Sequence, residues 1–395
     1  MEREYIYRSS KGPVRKPSRH NRPPWPLWTL TGLVVLAIVI LLVVLFTRKG
    51  SGPSEEDSSQ LPAAARSSSA SFSEGEPTPS PTPFTPAQQT APDAAPEDLG
   101  GLMVVEGAAY EYFPFSTETA NSYISAVAAA GDALSGTAQL YHLVAPSSMD
   151  VLLPESYLSE HQIDSADQRK AIETYIYPSV TSMSSSVKTV SVFDALLQRC
   201  DQYLYFRTDR TWTQRGAYYA YVEFCRAKGI EPVQLDQLEK KEYEGFMGGL
   251  SAQAGEDRLT ADTVEAFLPA GNTSLSFTTS EGDTNDGWQV ISDGSDYSSS
   301  LLYLIFAAGD QPYKVLENQD ITDGSACVVV QDSYGNFFIP FLTQHYQHVY
   351  VVDYRYYEGS VPQLASDKGA SDVIILNQVM AVSSEDAVSS LQDLF

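Results

Sequence analysis

The pattern of apolar and polar positions divides the chain into four stretches of different character. Residues 28–47, Trp28 to Thr47, contain TLTGLVVLAIVILLVVLF and no charged residue. About 20 apolar residues at 1.5 Å rise match a hydrocarbon layer of ~30 Å, so this run predicts a transmembrane helix. A cleaved signal peptide is the competing reading, but its apolar region is about 7–15 residues and a small-residue cleavage site follows at once. Here Arg48 and Lys49 follow instead, and the nearest A-x-A pattern, Ala63 to Ala65, lies well downstream. Residues 1–27 form a basic tail. Residues 48–100 are rich in Ser, Pro, Ala, Thr and acid, with runs such as PTPSPTPFTP. They bury too little to offset their ordering entropy and read as a disordered linker.

Residues 101–395 carry the pattern of a folded domain. Apolar runs at Ala138–Ala145, Val187–Phe193, Tyr203–Phe206, Ala326–Val330, Val349–Val352 and Val373–Leu376 read as short buried strands. Helical spacing occurs at Ser165–Tyr177, Thr213–Lys228 and Ser383–Leu394; Gly229 is placed to cap the second of these. Strands alternating with helices predict an α/β domain with a mostly parallel sheet and flanking helices. Residues 263–306 differ, with polar–apolar alternation and Gly/Asn/Asp turns, and read as a β-rich insertion or edge hairpin.

Charge orients this plan. Residues 1–49 hold nine Lys/Arg and two Glu, whereas the rest holds 16 basic and 48 acidic residues. Seven of the basic residues precede the apolar span, so the positive-inside rule puts the N-terminus in the cytoplasm and the C-terminal domain outside. Trp25 and Trp28 then sit at the inner interface. So acidic a chain makes a poor nucleic-acid binder, because phosphate neutralisation needs clustered cations. Cys200, Cys225 and Cys327 cannot form a disulfide framework, no Cys/His spacing suits zinc, and no cofactor motif is present. Asp283, Asn285 and Asp286 lack the ligand spacing of a calcium loop and read as a turn.

Two segments offer candidate chemistry. In VVVQDSYGN, Val328 to Asn336, a buried strand ends in Asp332-Ser333, with Gly335 just beyond. Open α/β sheets place ligands at such strand ends, and Gly335 leaves room for backbone amides to approach an oxyanion. In YFRTDRTWTQRGAYYAY, Tyr205 to Tyr221, a second strand end delivers Asp209, Arg210 and Thr211 before a helix. Taken singly, each segment is equally a strand-to-helix turn with a capping side chain.

Together the two blocks resemble the DHHW family: membrane-anchored bacterial proteins with an SGNH-hydrolase-like domain, related to the alginate O-acetylation proteins. The D-H-H-W motif stands here as Asp209-Arg210-Thr211-Trp212, followed by Thr213, Gly216, Ala217, Tyr218 and Tyr219. The second block is Asp332-Ser333-Tyr334-Gly335-Asn336, continuing through Phe338, Pro340, Phe341, Leu342, His345 and Tyr346. A third is Asp353, Arg355, Tyr356 and Tyr357.

The resemblance implies a serine nucleophile at Ser333 and an orienting acid at Asp209, with Gly335, Asn336 and Arg355 on the substrate side. The family histidine falls on Thr211, which cannot accept a proton near neutral pH, so Ser333 is left without its general base. The remaining histidines, His20, His142, His161, His345 and His348, offer no clear substitute. The implied role is a degenerate binding or accessory protein for envelope-polysaccharide O-acetylation, partnering the polysaccharide or a multi-pass membrane O-acyltransferase. An active serine O-acetyltransferase or acetylesterase is the first alternative, and a non-catalytic structural envelope protein the second.

Overall fold

Parallel pairing of apolar runs builds the centre of the protein. The computed structural model describes residues 85–395, so the tail, the apolar span and most of the linker lie outside the described residues. Within them no helix is long and apolar enough to cross a membrane. A three-stranded antiparallel sheet comes first: β1 Glu97–Asp98, β2 Leu102–Val105 and β3 Ala108–Glu111. The main sheet then uses β4 Gln139–Ala145, β5 Val187–Thr189, β8 Thr273–Thr278, β9 Thr284–Trp288, β10 Tyr313–Asn318, β11 Ala326–Gln331, β12 His348–Asp353 and β13 Asp372–Gln378. Its order is β5-β4-β13-β11-β12-β10-β8-β9. The first five strands in that order are parallel, while β10, β8 and β9 continue antiparallel. The third sheet is a ribbon of β6 Glu239–Phe246 and β7 Asp262–Leu268.

Helices cover both faces because the parallel strands are apolar on both faces. We number α1 Thr117–Ala133, α2 Tyr177–Met183, α3 Gln214–Lys228, α4 Gly335–Leu342, α5 Val361–Asp367 and α6 Glu385–Asp393. Adjacent strand residues point to opposite faces. In β4, Tyr141 meets Phe224 of α3 with ring centres 5.1 Å apart. Its neighbour His142 meets Tyr123 of α1 at 5.6 Å. Helix α4 packs on α3, and α6 packs on α1. The chain therefore leaves β11 towards one face and β13 towards the other. These strands are neighbours, and such a divergence opens a crevice at their carboxyl ends.

The differences from the sequence reading have local causes. Tyr203–Phe206 is not a strand of any sheet; it makes a single bridge, Tyr205 to Trp212, because the chain turns back on itself at once. Of residues 165–177, the first three are not helical, with Ala166 and Asp167 in the left-handed region; the helix starts at Gln168 and passes through a π-helical stretch, Lys170–Ile176, into α2. Residues 263–306 divide between two sheets: β7 pairs with β6 in the ribbon, whereas β8 and β9 form the expected edge hairpin, on the main sheet beside β10. Asp283 to Asp286 lie at the β8–β9 hairpin, where the Thr279 amide bonds the Asp283 carbonyl at 2.9 Å. The folded body also reaches further back than composition suggests. The Gln89 amide donates to the carbonyls of Asp150, Val151 and Leu153, and the Ala87 amide to that of Gln198.

Helix α3 follows its sequence signals. The Thr213 side chain accepts the Gly216 amide as N-cap, and Gly229 ends the helix in the left-handed region. Gly216 is there for lack of space, since a Cβ would lie 2.4 Å from the Leu204 carbonyl oxygen and 2.9 Å from the Trp212 Cβ. Gly216→Ala should thus destabilise the protein by about 1–3 kcal/mol through overpacking, although helix propensity alone would make it stabilising. Urea unfolding checks this, and a neutral or stabilising result would contradict the close approach.

Candidate functional site

Strand register brings the charged groups of the site together. Gln331 of β11 lies opposite Asp353 of β12 in parallel pairing, so Ser333 and Arg355, each two residues further on, emerge side by side at the sheet rim. Strand β10 runs antiparallel to β12 with Tyr313 opposite Val352, so Asp310, three residues before Tyr313, reaches the same rim. Asp310 is delivered by three successive left-handed residues, Ala307 (φ 47°), Ala308 (φ 59°) and Gly309 (φ 66°). That conformation costs an alanine roughly 1–2 kcal/mol, strain of the kind concentrated at functional sites.

The Asp310 carboxylate is the hub of the cluster. Its Oδ2 accepts the Ser333 hydroxyl at 2.8 Å and meets the Arg355 Nη2 at 3.0 Å. Its Oδ1 accepts the Asn336 Nδ2 at 2.6 Å and the Tyr303 hydroxyl. Arg355 also donates to the Ser333 Oγ at 3.3 Å and grips Asp353 through Nε at 2.8 Å and Nη2 at 2.6 Å. Behind them, fully buried Lys314 donates to the Gly309 carbonyl at 2.7 Å and to the Asn336 Oδ1, which Gln331 also bonds at 2.7 Å. Two donors on Oδ1 orient the Asn336 amide so that its nitrogen faces Asp310.

Electrostatics reflect this packing. Burial pushes the Asp310 carboxyl up, but Arg355, together with the Tyr303 and Ser333 hydroxyls, outweighs it and holds Asp310 below the usual value. Burial lowers the Lys314 ammonium to about 8, against the pull of Asp310 and Asp353. Asp332 is buried and pushed up to about 6, chiefly by desolvation. Its carboxylate fixes the serine turn, accepting the Tyr334 amide at 3.1 Å, the Gln378 amide at 2.8 Å and the Tyr354 hydroxyl at 3.3 Å.

The D-R-T-W segment docks on this turn, and its acid is held by Thr211 and Gly249. The Trp212 Nε1 donates to the Tyr334 carbonyl at 2.9 Å, and the Tyr334 hydroxyl donates to the Arg210 carbonyl. Asp209 accepts the Thr211 amide at 3.1 Å and the Thr211 hydroxyl at 3.0 Å on one oxygen, and the Gly249 amide at 2.7 Å on the other. Arg210 reaches Glu111 at 3.5 Å. Asp262 anchors the loop by accepting the backbone amides of Arg207 and Thr208. Asp209 and Ser333 thus lie in adjoining loops without a direct hydrogen bond.

Of the other sequence candidates, Arg355 touches the serine directly. Asn336 is buried behind Asp310. The Gly335 amide bonds the Asp332 carbonyl at 3.0 Å, and a Cβ at Gly335 would collide with Gln331. Asp310, Tyr303 and Lys314 escaped the sequence reading. The small residues Ala307-Ala308-Gly309 before an acid were the signal for Asp310.

Each described imidazole is engaged elsewhere. The His142 Nε2 bonds the Tyr123 hydroxyl at 2.7 Å, and burial lowers this histidine to about 3, so it is neutral. The His345 Nε2 bonds the Tyr221 hydroxyl at 2.6 Å. His161 packs on Tyr157 and His348 on Tyr350, with ring centres 4.6 and 5.9 Å apart. Among the described residues no imidazole is hydrogen-bonded to Ser333.

Fold and site together define a mixed α/β protein with a large sheet and a serine set among charges at its carboxyl rim. The model of the DHHW protein family matches residues 83–352, and the chain belongs to that family. No curated protein sequence matches it. Among solved structures, a DHHW family protein from Eubacterium siraeum is 23% identical over 75% of this chain and 97% of its own, with a TM-score of 0.65. Bacillus cereus PatB1 with a sulfonyl adduct is 16% identical over 73% of this chain and 99% of its own, with a TM-score of 0.58. The O-acetyltransferase domain of Pseudomonas putida AlgJ is 12% identical over 75% of this chain and 99% of its own, with a TM-score of 0.43. The first two likenesses establish the fold.

Asp332 makes a pH signature that can be checked. Its folded pKa lies above the unfolded value near 3.9, so the native state binds more protons between them and stability falls as pH rises towards 6. Relative to Asp332→Asn, the protein should lose stability between about pH 4 and 6, and the difference should level off above that. Denaturant titrations of both proteins across this range measure it; a difference that is flat with pH would contradict the assignment.

Proposed function

We propose that this is a membrane-anchored, extracytoplasmic protein that binds cell-envelope polysaccharide as an accessory to its O-acetylation, on an SGNH-hydrolase-like scaffold whose serine is not activated. One observation carries this reading. The Ser333 hydroxyl is committed to Asp310 and Arg355, with no imidazole in hydrogen-bond reach among the described residues. A serine hydroxyl is a weak nucleophile until a positioned base takes its proton. Asp310 is a poor base, because four donors occupy its oxygens and its pKa is held down. Loss of a triad member costs roughly 10⁴-fold in rate, since the members act as a unit. Thr211 stands at the family histidine position and already bonds Asp209, the residue that would orient an imidazole.

Active serine acyl transfer is the second reading, favoured by the guanidinium 3.3 Å from the Ser333 Oγ, which would stabilise an alkoxide. Hydrolysis of a chromogenic acetate ester separates the two. The purified protein should show no Ser333-dependent turnover, and Thr211→His should raise turnover by ~10²-fold or more. Ser333→Ala in that background should remove the gain. Robust wild-type turnover lost in Ser333→Ala would put the active reading first.

The anchored topology rests on the apolar run 28–47 and the basic residues before it. Protease added to intact cells should cut within residues 50–84 and release the folded domain. A domain that stays attached and protected would overturn the orientation.

A further inference from the structure

Arg355 is flanked by two features that the serine chemistry does not use. One is the ring of Tyr356, 46% exposed beside the charged cluster, with the Arg355 guanidinium 5.2 Å from its centre. Its backbone is fixed, since the amides of Tyr356 and Tyr357 both bond the Asp353 carbonyl, at 3.0 and 2.9 Å. The second is a cavity of about 400 Å³ that Arg355 lines together with Tyr354, Gln378, Met380, Ser384 and Ser390. That volume falls within the range of small-molecule sites. Hydroxyls, one amide and apolar patches are what a sugar's hydroxyls and C–H faces can use.

The charge of the site narrows the ligand. Among the described residues Arg355 is the cavity's one cation, and Asp353 and Asp310 both contact it, so little of its charge is left to attract a carboxylate or phosphate. Asp386 stands exposed on the cavity wall. Residues 101–395 hold 15 basic and 40 acidic residues, so a polyanion would approach against the field of the whole domain. An uncharged ring meets no such electrostatic penalty. A rigid Tyr also offers stacking area at low entropic cost.

We propose that Tyr356 and the cavity beside Arg355 form a subsite for uncharged sugar units, with Tyr356 as the stacking platform. This deepens the polysaccharide-binding reading and rests on it. The expected preference is for neutral over uronate- or phosphate-bearing glycans.

Calorimetric titration of the purified full-length protein with cellohexaose, N-acetylglucosamine hexamer and hexagalacturonate tests it. At least one neutral hexamer should bind, and hexagalacturonate should bind at least tenfold more weakly. Tyr356→Ala should weaken the neutral ligand by about tenfold, and Tyr356→Phe should restore it, because the ring and not the hydroxyl stacks. Circular dichroism on both variants confirms the fold, since truncating an exposed ring leaves the core intact. Equal or tighter binding of hexagalacturonate overturns the neutral-glycan inference while leaving polysaccharide binding standing. Unchanged affinity in Tyr356→Ala overturns the location of the subsite. No binding of any hexamer overturns the polysaccharide reading and the inference with it.

Discussion

The carboxylate of Asp310 is the point on which the site depends. It accepts hydrogen bonds from Ser333, Arg355, Asn336 and Tyr303, which exhausts its capacity as an acceptor. Those four donors come from the end of β11, the end of β12, the start of α4 and the 3₁₀ turn Ser299–Ile305. One half-buried anion therefore ties the rim of the sheet together. Without it, Arg355 would face only Asp353, and Asn336 would lose the acceptor that fixes its amide. Fully buried Lys314 would also lose one of the two carboxylates that offset its desolvation, so the members of the cluster depend on one another.

The same arrangement sets the chemistry of Ser333. In a working triad the serine proton points to an imidazole that can hold it near neutral pH. Here it points to a carboxylate whose charge Arg355 stabilises, and that stabilisation lowers its appetite for a proton. Arg355 in turn has its charge divided between Asp353 and Asp310. On the proposed reading, the rim is ordered at the expense of an activated serine.

How much of this was legible in the sequence depends on whether apolar pattern and structure coincide. The parallel strands β4, β11 and β13 read cleanly because both their faces are buried, and β12 through Val349, Val351 and Val352. Gly229 marked the end of α3 by its capping chemistry, whereas the start lay at Thr211 or Thr213, of which the structure uses Thr213. Strand β10 escaped because fully buried Lys314 interrupts its pattern, and a buried lysine is legible only through its partners. Tyr203–Phe206 misled in the other direction, its apolar residues packing into the core from a loop. Ser333 and Arg355 were visible in sequence blocks. Asp310 reaches them through sheet register, and the small residues Ala307-Ala308-Gly309 before it mark a turn without saying where that turn leads.

The central claim concerns the reactivity of one hydroxyl, and covalent labelling reads it directly. The purified protein and Thr211→His would be exposed to phenylmethanesulfonyl fluoride and followed by intact-mass and peptide mass spectrometry. The account predicts no modification of the wild-type Ser333 above the rate of ordinary surface serines, and stoichiometric modification of Ser333 in Thr211→His. Rapid, stoichiometric sulfonylation of Ser333 in the unaltered protein would show an activated nucleophile and contradict it.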